Sequence, residues 1–304
     1  MTTPTTTIPA KTIITKVKKP SDWFGAEYNM NIYRGCSHGC IYCDSRSDCY
    51  QNIDFDTIKP KENALQIIRA ELRRKATSGV VATGAMSDPY NQLEQELKLT
   101  RHALELINAF GFGASIDTKS ALVTRDIDVL QDIKAHSPTI IKISITAAAD
   151  DLCQKLEPFV STTSKRLEAI GRLSDAGIYC GVLLSPIMPF ITDTENNIVR
   201  ILKLAKEAGA RFVHSFMGMT LRAGNREYYY DHLDKFFPGV KDEHIKTYGN
   251  RYICPAPNSQ KLHRIFSEEC ERLGLLYDMR AITGQYKMGY GDQQLTLFTE
   301  TNFR

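Results

Sequence analysis

The chain has 304 residues, of which 24% are charged and 42% hydrophobic, and a formal net charge of +3. That composition excludes collagen-like, disordered and disulfide-scaffold chains, and the length allows a large apolar core without disulfides or structural metals. The mild positive charge permits nucleic-acid contact without arguing for it, and no apolar run reaches the roughly 20 residues of a membrane span.

Residues 1–22 are Thr-rich, carry Lys11, Lys16, Lys18 and Lys19, and lack the apolar core of a signal peptide. They read as a flexible tail on a cytoplasmic protein. In that reducing setting the eight cysteines are candidates for metal ligands, catalytic groups or buried fillers. A first strand is expected near 28–33 and a helix near 61–75. The run GVVATG at 79–84 reads as a buried strand, and 93–110 carries Leu97, Leu104 and Ile107 at helical spacing. A strand over 112–117 and a helix over 126–135 follow, with Asp126 as the expected N-cap. Next come a strand over 140–146, a helix over 163–176 ended by Gly177, and a strand over 178–184. A helix over 193–208 ended by Gly209 and a strand over 211–216 complete the series.

Such alternation, about six β/α units, predicts an α/β fold with a parallel sheet, because parallel strands need crossover connections. Six units point to a partial (β/α)6 barrel rather than a full one; an open doubly wound sheet is the alternative. In either case the active site belongs at the C-terminal ends of the strands. Beyond Phe216 the texture changes: Tyr228, Tyr229, Tyr230, Phe236, Phe237, Tyr248 and Tyr252 mix with Arg222, Arg226, Lys235 and Lys241. A solvated face with a partly buried Tyr cluster, or a nucleic-acid surface, would both use these residues. One more helix is expected over 259–273. The organisation is therefore a tail over 1–22, a core over 23–218, a C-terminal extension packed on the core over 219–290, and a terminal tail over 291–304.

The most informative stretch is Gly35-Cys36-Ser37-His38-Gly39-Cys40-Ile41-Tyr42-Cys43, in the loop after the first strand. Three thiolates this close converge on one soft metal centre. A structural zinc site wants four ligands, which Cys49 or His38 would complete. An iron–sulfur cluster held by three cysteines keeps one iron open, and an open metal position is a chemical one.

The Cys-x3-Cys-x2-Cys spacing after the first strand of a β/α series resembles the signature of the radical S-adenosylmethionine (SAM) enzymes. The resemblance implies that Cys36, Cys40 and Cys43 hold a [4Fe-4S] cluster whose open iron binds the amino and carboxylate groups of SAM. Reductive cleavage of the sulfonium would then give a 5′-deoxyadenosyl radical that takes a hydrogen atom from a substrate. It also implies an electron donor such as a flavodoxin or ferredoxin. Tyr42 matches an aromatic position near the adenine, or is a core aromatic. The stretch Thr83-Gly84-Ala85-Met86-Ser87-Asp88-Pro89-Tyr90 corresponds to the strand end that holds the SAM amino group, with Ser87 and Asp88 at the site or in a plain turn. Lys119, Ser144, Thr146 and Pro186 are placed to line the SAM pocket or to serve the scaffold.

The wording of Thr118-Lys119-Ser120, Thr124-Arg125-Asp126, Glu157-Pro158 with Arg166, Pro186-Ile187-Met188-Pro189 and Cys254-Pro255-Ala256-Pro257-Asn258 resembles the spore photoproduct lyase-like branch. This implies a DNA substrate in repair or modification. Two departures concern the substrate rather than the cofactor. Asp44 stands where that branch has a second tyrosine, and Ala85 falls at the position of its hydrogen-donating cysteine. Cys254, in a Pro-rich turn, is a candidate replacement donor or a small buried hydrophobe. The catalytic candidates are therefore Tyr42 and Cys254.

Near the C-terminus, Gln294, Leu295, Leu297 and Phe298 resemble the motif with which bacterial DNA-repair proteins bind the sliding clamp, or form a strand on their own core. The alternatives to a DNA-directed radical SAM enzyme are one acting on RNA, a peptide or a small molecule, and a non-catalytic DNA-associated protein with a structural metal site.

Overall fold

The computed structural model describes residues 6–20, 23–51 and 54–290. In chain order the strands are β1 (Ile14–Lys16), β2 (Tyr28–Met30), β3 (Tyr33–Arg34), β4 (Lys59–Pro60), β5 (Val80–Thr83), β6 (Gly113–Thr118), β7 (Thr139–Ser144), β8 (Tyr179–Leu184), β9 (Val213–Ser215), β10 (Gly218–Thr220) and β11 (Ile253–Pro255). The helices are α1 (Ala64–Arg73), α2 (Glu94–Leu97), α3 (Leu99–Ala109), α4 (Ile127–Lys134), α5 (Asp150–Leu156), α6 (Thr163–Asp175), α7 (Glu195–Glu207), α8 (Asn225–Phe236), α9 (Val240–Tyr248), α10 (Ser259–Leu273) and α11 (Met279–Lys287).

The main sheet has the order β1-β2-β5-β6-β7-β8-β9. β1 runs antiparallel to β2, and from β2 onward each strand runs parallel to the next. A doubly wound sheet reverses its strand order partway; this one never does, so the architecture is the partial (β/α)6 barrel. β1 and β9 lie at opposite edges, and the barrel is open between them. The outer edge of β9 is partly paired: Val213 N–H donates to the Leu276 carbonyl at 2.9 Å.

Period-2 alternation divides the strand residues between two layers. Val81, Ala114, Ile116, Ile141, Ile143, Val182 and Leu184 pack with the helices in the main core. Val80, Ala82, Ile140, Leu183 and Phe212 pack in the lumen with Phe24, Ile282 and Tyr286. The helices present matching faces: Ala64, Ile68 and Leu72 of α1, and Ile198, Ile201, Leu202 and Ala205 of α7, are buried at three- and four-residue spacing. α6 stops where Gly177 takes φ +73°. There the Ile178 N–H reaches back to the Leu173 carbonyl at 2.9 Å and aims the chain into β8.

The lumen is plugged from one end. Val80, Ile140 and Tyr179 sit at or near the starts of their strands, and α11 packs Ile282 and Tyr286 onto that end. The Tyr286 hydroxyl donates to the Phe24 carbonyl at 2.7 Å, and Tyr179 stacks on Phe212 with centroids 5.5 Å apart. The C-terminal ends of the strands are left uncovered by this plug.

Several expectations change in detail. Part of the expected tail is the edge strand β1, because Ile13 and Ile14 are apolar anchors buried against the core. The first strand is two: β2 joins the main sheet and β3 turns aside to pair with β4. The helix over 93–110 breaks at Lys98, which adopts φ +49° between α2 and α3. Asp126 stands at the N-cap of α4 without capping it; its carboxylate is taken by Arg125 and Arg101. α8, α9 and α11 were not anticipated as helices. Gln294, Leu295, Leu297 and Phe298 lie outside the described residues.

Candidate active site

The cysteine loop leaves β3 at Gly35 and is pinned by backbone bonds on both sides. Cys36 N–H donates to the Phe55 carbonyl at 2.8 Å, Ile41 N–H to Leu156 at 3.0 Å, and Phe159 N–H to His38 at 3.2 Å. Gly39 is required by space and backbone alike: φ is +66°, and a Cβ there would stand 2.8 Å from the Phe159 ring. So positioned, Cys36, Cys40 and Cys43 line one cavity together with His38, Gly84, Asp88, Asp117, Lys119 and Ser144. The strand-end residues come from β5, β6 and β7, at their C-terminal ends. A larger groove of about 1050 Å³ between α1 and α3 holds none of the expected site residues and lies away from this chemistry.

Asp88 is the knot of the cavity wall. Its Oδ1 accepts from the Thr118 hydroxyl at 2.7 Å and from Tyr90 N–H at 2.9 Å, and its Oδ2 accepts from Lys119 N–H at 2.7 Å. His38 Nδ1 lies 3.5 Å from Oδ2. The carboxylate thereby joins the end of β5, the end of β6 and the cysteine loop, and its oxygens are already engaged. Burial holds the His38 ring below its usual range despite Asp88.

A buried ion pair backs the loop. Arg166 and Glu157 are almost wholly removed from water and bond to each other. Arg166 also donates to the Ser144 carbonyl at 2.8 Å and to the Ser161 carbonyl at 2.7 Å, and Glu157 accepts from the Tyr42 hydroxyl. Burial opposes the Glu157 charge, but Arg166 and then Lys119 outweigh it and keep the carboxyl below its ordinary range. Such a pair is held together by geometry; removing one partner leaves a stranded charge worth about 3–5 kcal/mol of lost stability. Lys119 extends over the Tyr42 ring, its Nζ 5.7 Å from the centroid. Burial works against the ammonium, and its interactions with Cys40, Glu157 and Cys43 hold its pKa above the usual lysine range.

The thiols follow the same physics. Burial, then Asp88, pushes Cys36 up to about 11, and burial raises Cys40 strongly. Among the described residues no three His, Cys, Asp or Glu side chains are already arranged as a cage for a single metal ion. What the loop offers is three soft donors facing one cavity beside a lysine, and a cationic iron–sulfur core is the kind of group that displaces thiol protons. The donor set fits such a cluster.

Of the other expected residues, Ser144 and Lys119 line the cavity with Asp88, whereas Ser87, Thr146, Pro186, Tyr42 and Cys254 do not. Thr146 donates to the Pro186 carbonyl, joining the ends of β7 and β8 just beyond the cavity. Tyr42 packs into an apolar cluster with Ile41, Met188, Tyr229 and Cys254. Cys254, a candidate donor or buried hydrophobe, lies in that same cluster, which also includes Cys40. Its thiol is buried in β11, opposite Met219, and points at the Arg251 carbonyl at 3.6 Å. Sequence reasoning missed Asp117, which lines the cavity and is held at 2.7 Å by the buried Lys142 and at 3.1 Å by Trp23 Nε1. The signal was present: Asp117 immediately precedes Thr118-Lys119, and with Ser115 it keeps the period-2 phase of the lumen face.

Thiols converging at the C-terminal ends of a (β/α)6 barrel define an enzyme built around a soft metal centre. The comparison with known families agrees. A model described as the radical SAM superfamily matches residues 30–205; the chain belongs to that superfamily and is a radical SAM enzyme. This replaces the alternative of a binding protein with a structural zinc site. An uncharacterised protein of Mycobacterium tuberculosis is 28% identical over 278 residues, which is 89% of this chain and 82% of that protein. An uncharacterised protein of Methanocaldococcus jannaschii is 34% identical over 191 residues, 62% of this chain and 69% of that one. A solved structure of spore photoproduct lyase complexed with dinucleoside spore photoproduct superimposes with a TM-score of 0.64 at 15% identity, covering 83% of this chain and 76% of that chain. That likeness is one of fold.

Proposed function

We propose that this enzyme holds a [4Fe-4S] cluster on Cys36, Cys40 and Cys43, binds SAM beside it, and abstracts a hydrogen atom from a nucleic acid, with DNA repair or modification as the outcome. The observation that carries the reading is the convergence of the three thiols with Gly84, Lys119 and Ser144 on one cavity at the strand ends. A cluster so held, with one iron open to SAM, supplies reductive cleavage of the sulfonium to a 5′-deoxyadenosyl radical.

The chain's own residues do the rest. Backbone carbonyls of the stretch after β5 are available to an ammonium group, since Asp88 is engaged in holding that stretch in place. Lys119 offers positive charge to a carboxylate and offsets the negative charge of the thiolates. Glu157, Arg166 and Tyr42 keep the far side of the loop rigid and dry. What favours a nucleic acid is the shared fold with a lyase whose solved structure holds a dinucleoside photoproduct. Ala85, with no transferable thiol hydrogen, points to a lesion or product other than the one handled by a cysteine relay. The same reading sets the protein in the cytoplasm, and docks Gln294, Leu295, Leu297 and Phe298 on a sliding clamp.

The test is isotopic. Deuterium-labelled DNA, intact or ultraviolet-irradiated, is incubated anaerobically with the reconstituted enzyme, SAM and dithionite. Label recovered in 5′-deoxyadenosine or SAM is expected. Label transferred from RNA, a peptide or a small molecule, and none from DNA, would overturn the choice of substrate.

A further inference from the structure

Resting on the reading of a nucleic-acid substrate, we propose that Asp117 is the residue with which this enzyme selects the base it acts on. Its carboxylate accepts a hydrogen bond from an N–H of that base, and Lys142 is the positioning residue that holds it there.

Asp88 and Asp117 both line the cavity, but they differ in how far their oxygens are engaged. Among the described residues Asp88 accepts three hydrogen bonds and stands beside His38. Asp117 accepts one, from Trp23 Nε1 to its Oδ2 at 3.1 Å. Its Oδ1 is buried and receives no hydrogen bond. A carboxylate has about four lone-pair sites, and polar groups drawn this far from water ordinarily find partners. Asp117, its side chain 14% exposed, therefore brings unused acceptor capacity to the space where the chemistry takes place.

The group beneath it fixes the charge. Lys142 is wholly buried in β7, and its ammonium stands 2.7 Å from Asp117 Oδ1 and donates to Ser115 Oγ at 2.7 Å. Asp117 and Lys142 are opposite each other in the register of β6 and β7, so the strands themselves set this geometry. The rest of the lumen is apolar, with Ala82, Ile140, Leu183 and Phe212. Two apolar side chains of similar volume would serve the stability of such a lumen about as well as a buried ion pair does. What the pair adds is a carboxylate held at one place on the cavity wall.

Trp23 supplies the other half of a base site. It is 40% exposed and meets the Phe24 and His214 rings edge to face. An open aromatic surface beside an unfilled acceptor suits a planar ring that carries N–H groups. Bases taken out of a stack are read in this way, by aromatic contact and by hydrogen bonds to their pairing edge. A peptide or a sugar would use the acceptor and leave the indole face idle.

The test uses the full chain with its cluster and SAM, and the dinucleotides dTpdT, dCpdC, dApdA and dGpdG. Trp23 is the chain's one tryptophan, so its fluorescence follows binding at this position, with Trp23→Phe as the blank. Equilibrium dialysis gives the affinities. The unmodified protein is expected to separate its best from its worst dinucleotide by about tenfold or more. Methylating the pairing-edge nitrogen of the preferred base should lower its affinity by a similar factor, an arm that needs no variant. In Asp117→Asn, and in Asp117→Ala combined with Lys142→Met, the spread should shrink to about threefold or less. Lys142→Met alone should shrink it too, and Lys142→Arg should restore it. Damage to the scaffold alone would weaken all four equally, and circular dichroism verifies folding. An unchanged spread in the folded variants, or an unmodified protein that binds all four alike, would overturn the proposal. So would loss of SAM affinity with the spread intact, which would assign Asp117 to the cofactor. An unmodified protein that binds none of the four would sink the nucleic-acid reading itself, and the proposal with it.

Discussion

At the scale of single residues, buried polar groups show where this fold accepts cost. His244 is wholly buried among Tyr229, Tyr230, Tyr248 and Phe190. Its Nδ1 meets the Tyr230 hydroxyl at 3.1 Å, and its Nε2 has no partner. Burial, and then the Arg226 charge, lowers its pKa to about 4. In the unfolded chain a histidine titrates near about 6.5. As pH falls below that value the unfolded chain takes up a proton that the folded one refuses. Stability is therefore full above about pH 6.5 and declines, by on the order of 3 kcal/mol, as pH falls to about 4. Urea denaturation across that window should show the decline in the parent protein and a flatter profile in His244→Phe. An equal slope in both would assign the acid sensitivity elsewhere.

At the scale of elements, the site depends on how β5 ends. Gly84 takes φ +106°, and a Cβ there would lie 1.9 Å from the Asp117 carbonyl oxygen. The strand end and β6 close on each other so tightly that only glycine fits, and this close approach forms one wall of the cavity. Gly84→Ala should cost more than about 2 kcal/mol and impair SAM binding, read by chemical denaturation and by equilibrium dialysis. A stable variant with normal binding would show that the wall is yielding. Much at this scale was legible beforehand. The parallel strands and the helices α1, α6, α7 and α10 carry strong periodicity, the last three with a glycine close behind, and they stand where the pattern put them. The misses have physical causes. α8 and α9 have weakly segregated polar and apolar faces, because the C-terminal extension buries tyrosines and histidines whose polar ends blur the pattern. The motif residues Arg125 and Asp126 form a polar staple with Glu94 rather than facing the cavity: Arg125 bonds Glu94 at 2.8 Å and Asp126 at 2.7 Å, and the Tyr33 hydroxyl donates to Glu94. Charges in a short motif do not reveal whether they face a ligand or one another.

At the scale of the whole molecule, the barrel works as a one-ended vessel. α11, Phe24 and Tyr286 fill the lumen from the starts of the strands, the cysteine loop covers the other end, and the C-terminal extension packs against the outer side of that loop. The three thiols were legible from spacing alone, because convergence within one loop is local. The placement of Cys254 was not, because it is set by the pairing of β10 with β11, which no local pattern encodes. For the same reason the roles of Asp117, Glu157 and Arg166 emerged only once distant elements were brought together.

The central claim is that Cys36, Cys40 and Cys43 hold an iron–sulfur cluster that cleaves SAM. The measurement that tests it most directly is anaerobic reconstitution with iron and sulfide, followed by reduction with dithionite and assay for 5′-deoxyadenosine, with Cys36→Ala alongside. The account predicts a brown protein with about four irons per chain that forms 5′-deoxyadenosine, and a folded Cys36→Ala protein that forms none. A fully loaded parent protein that forms none with DNA present, or a variant as active as the parent, would contradict it.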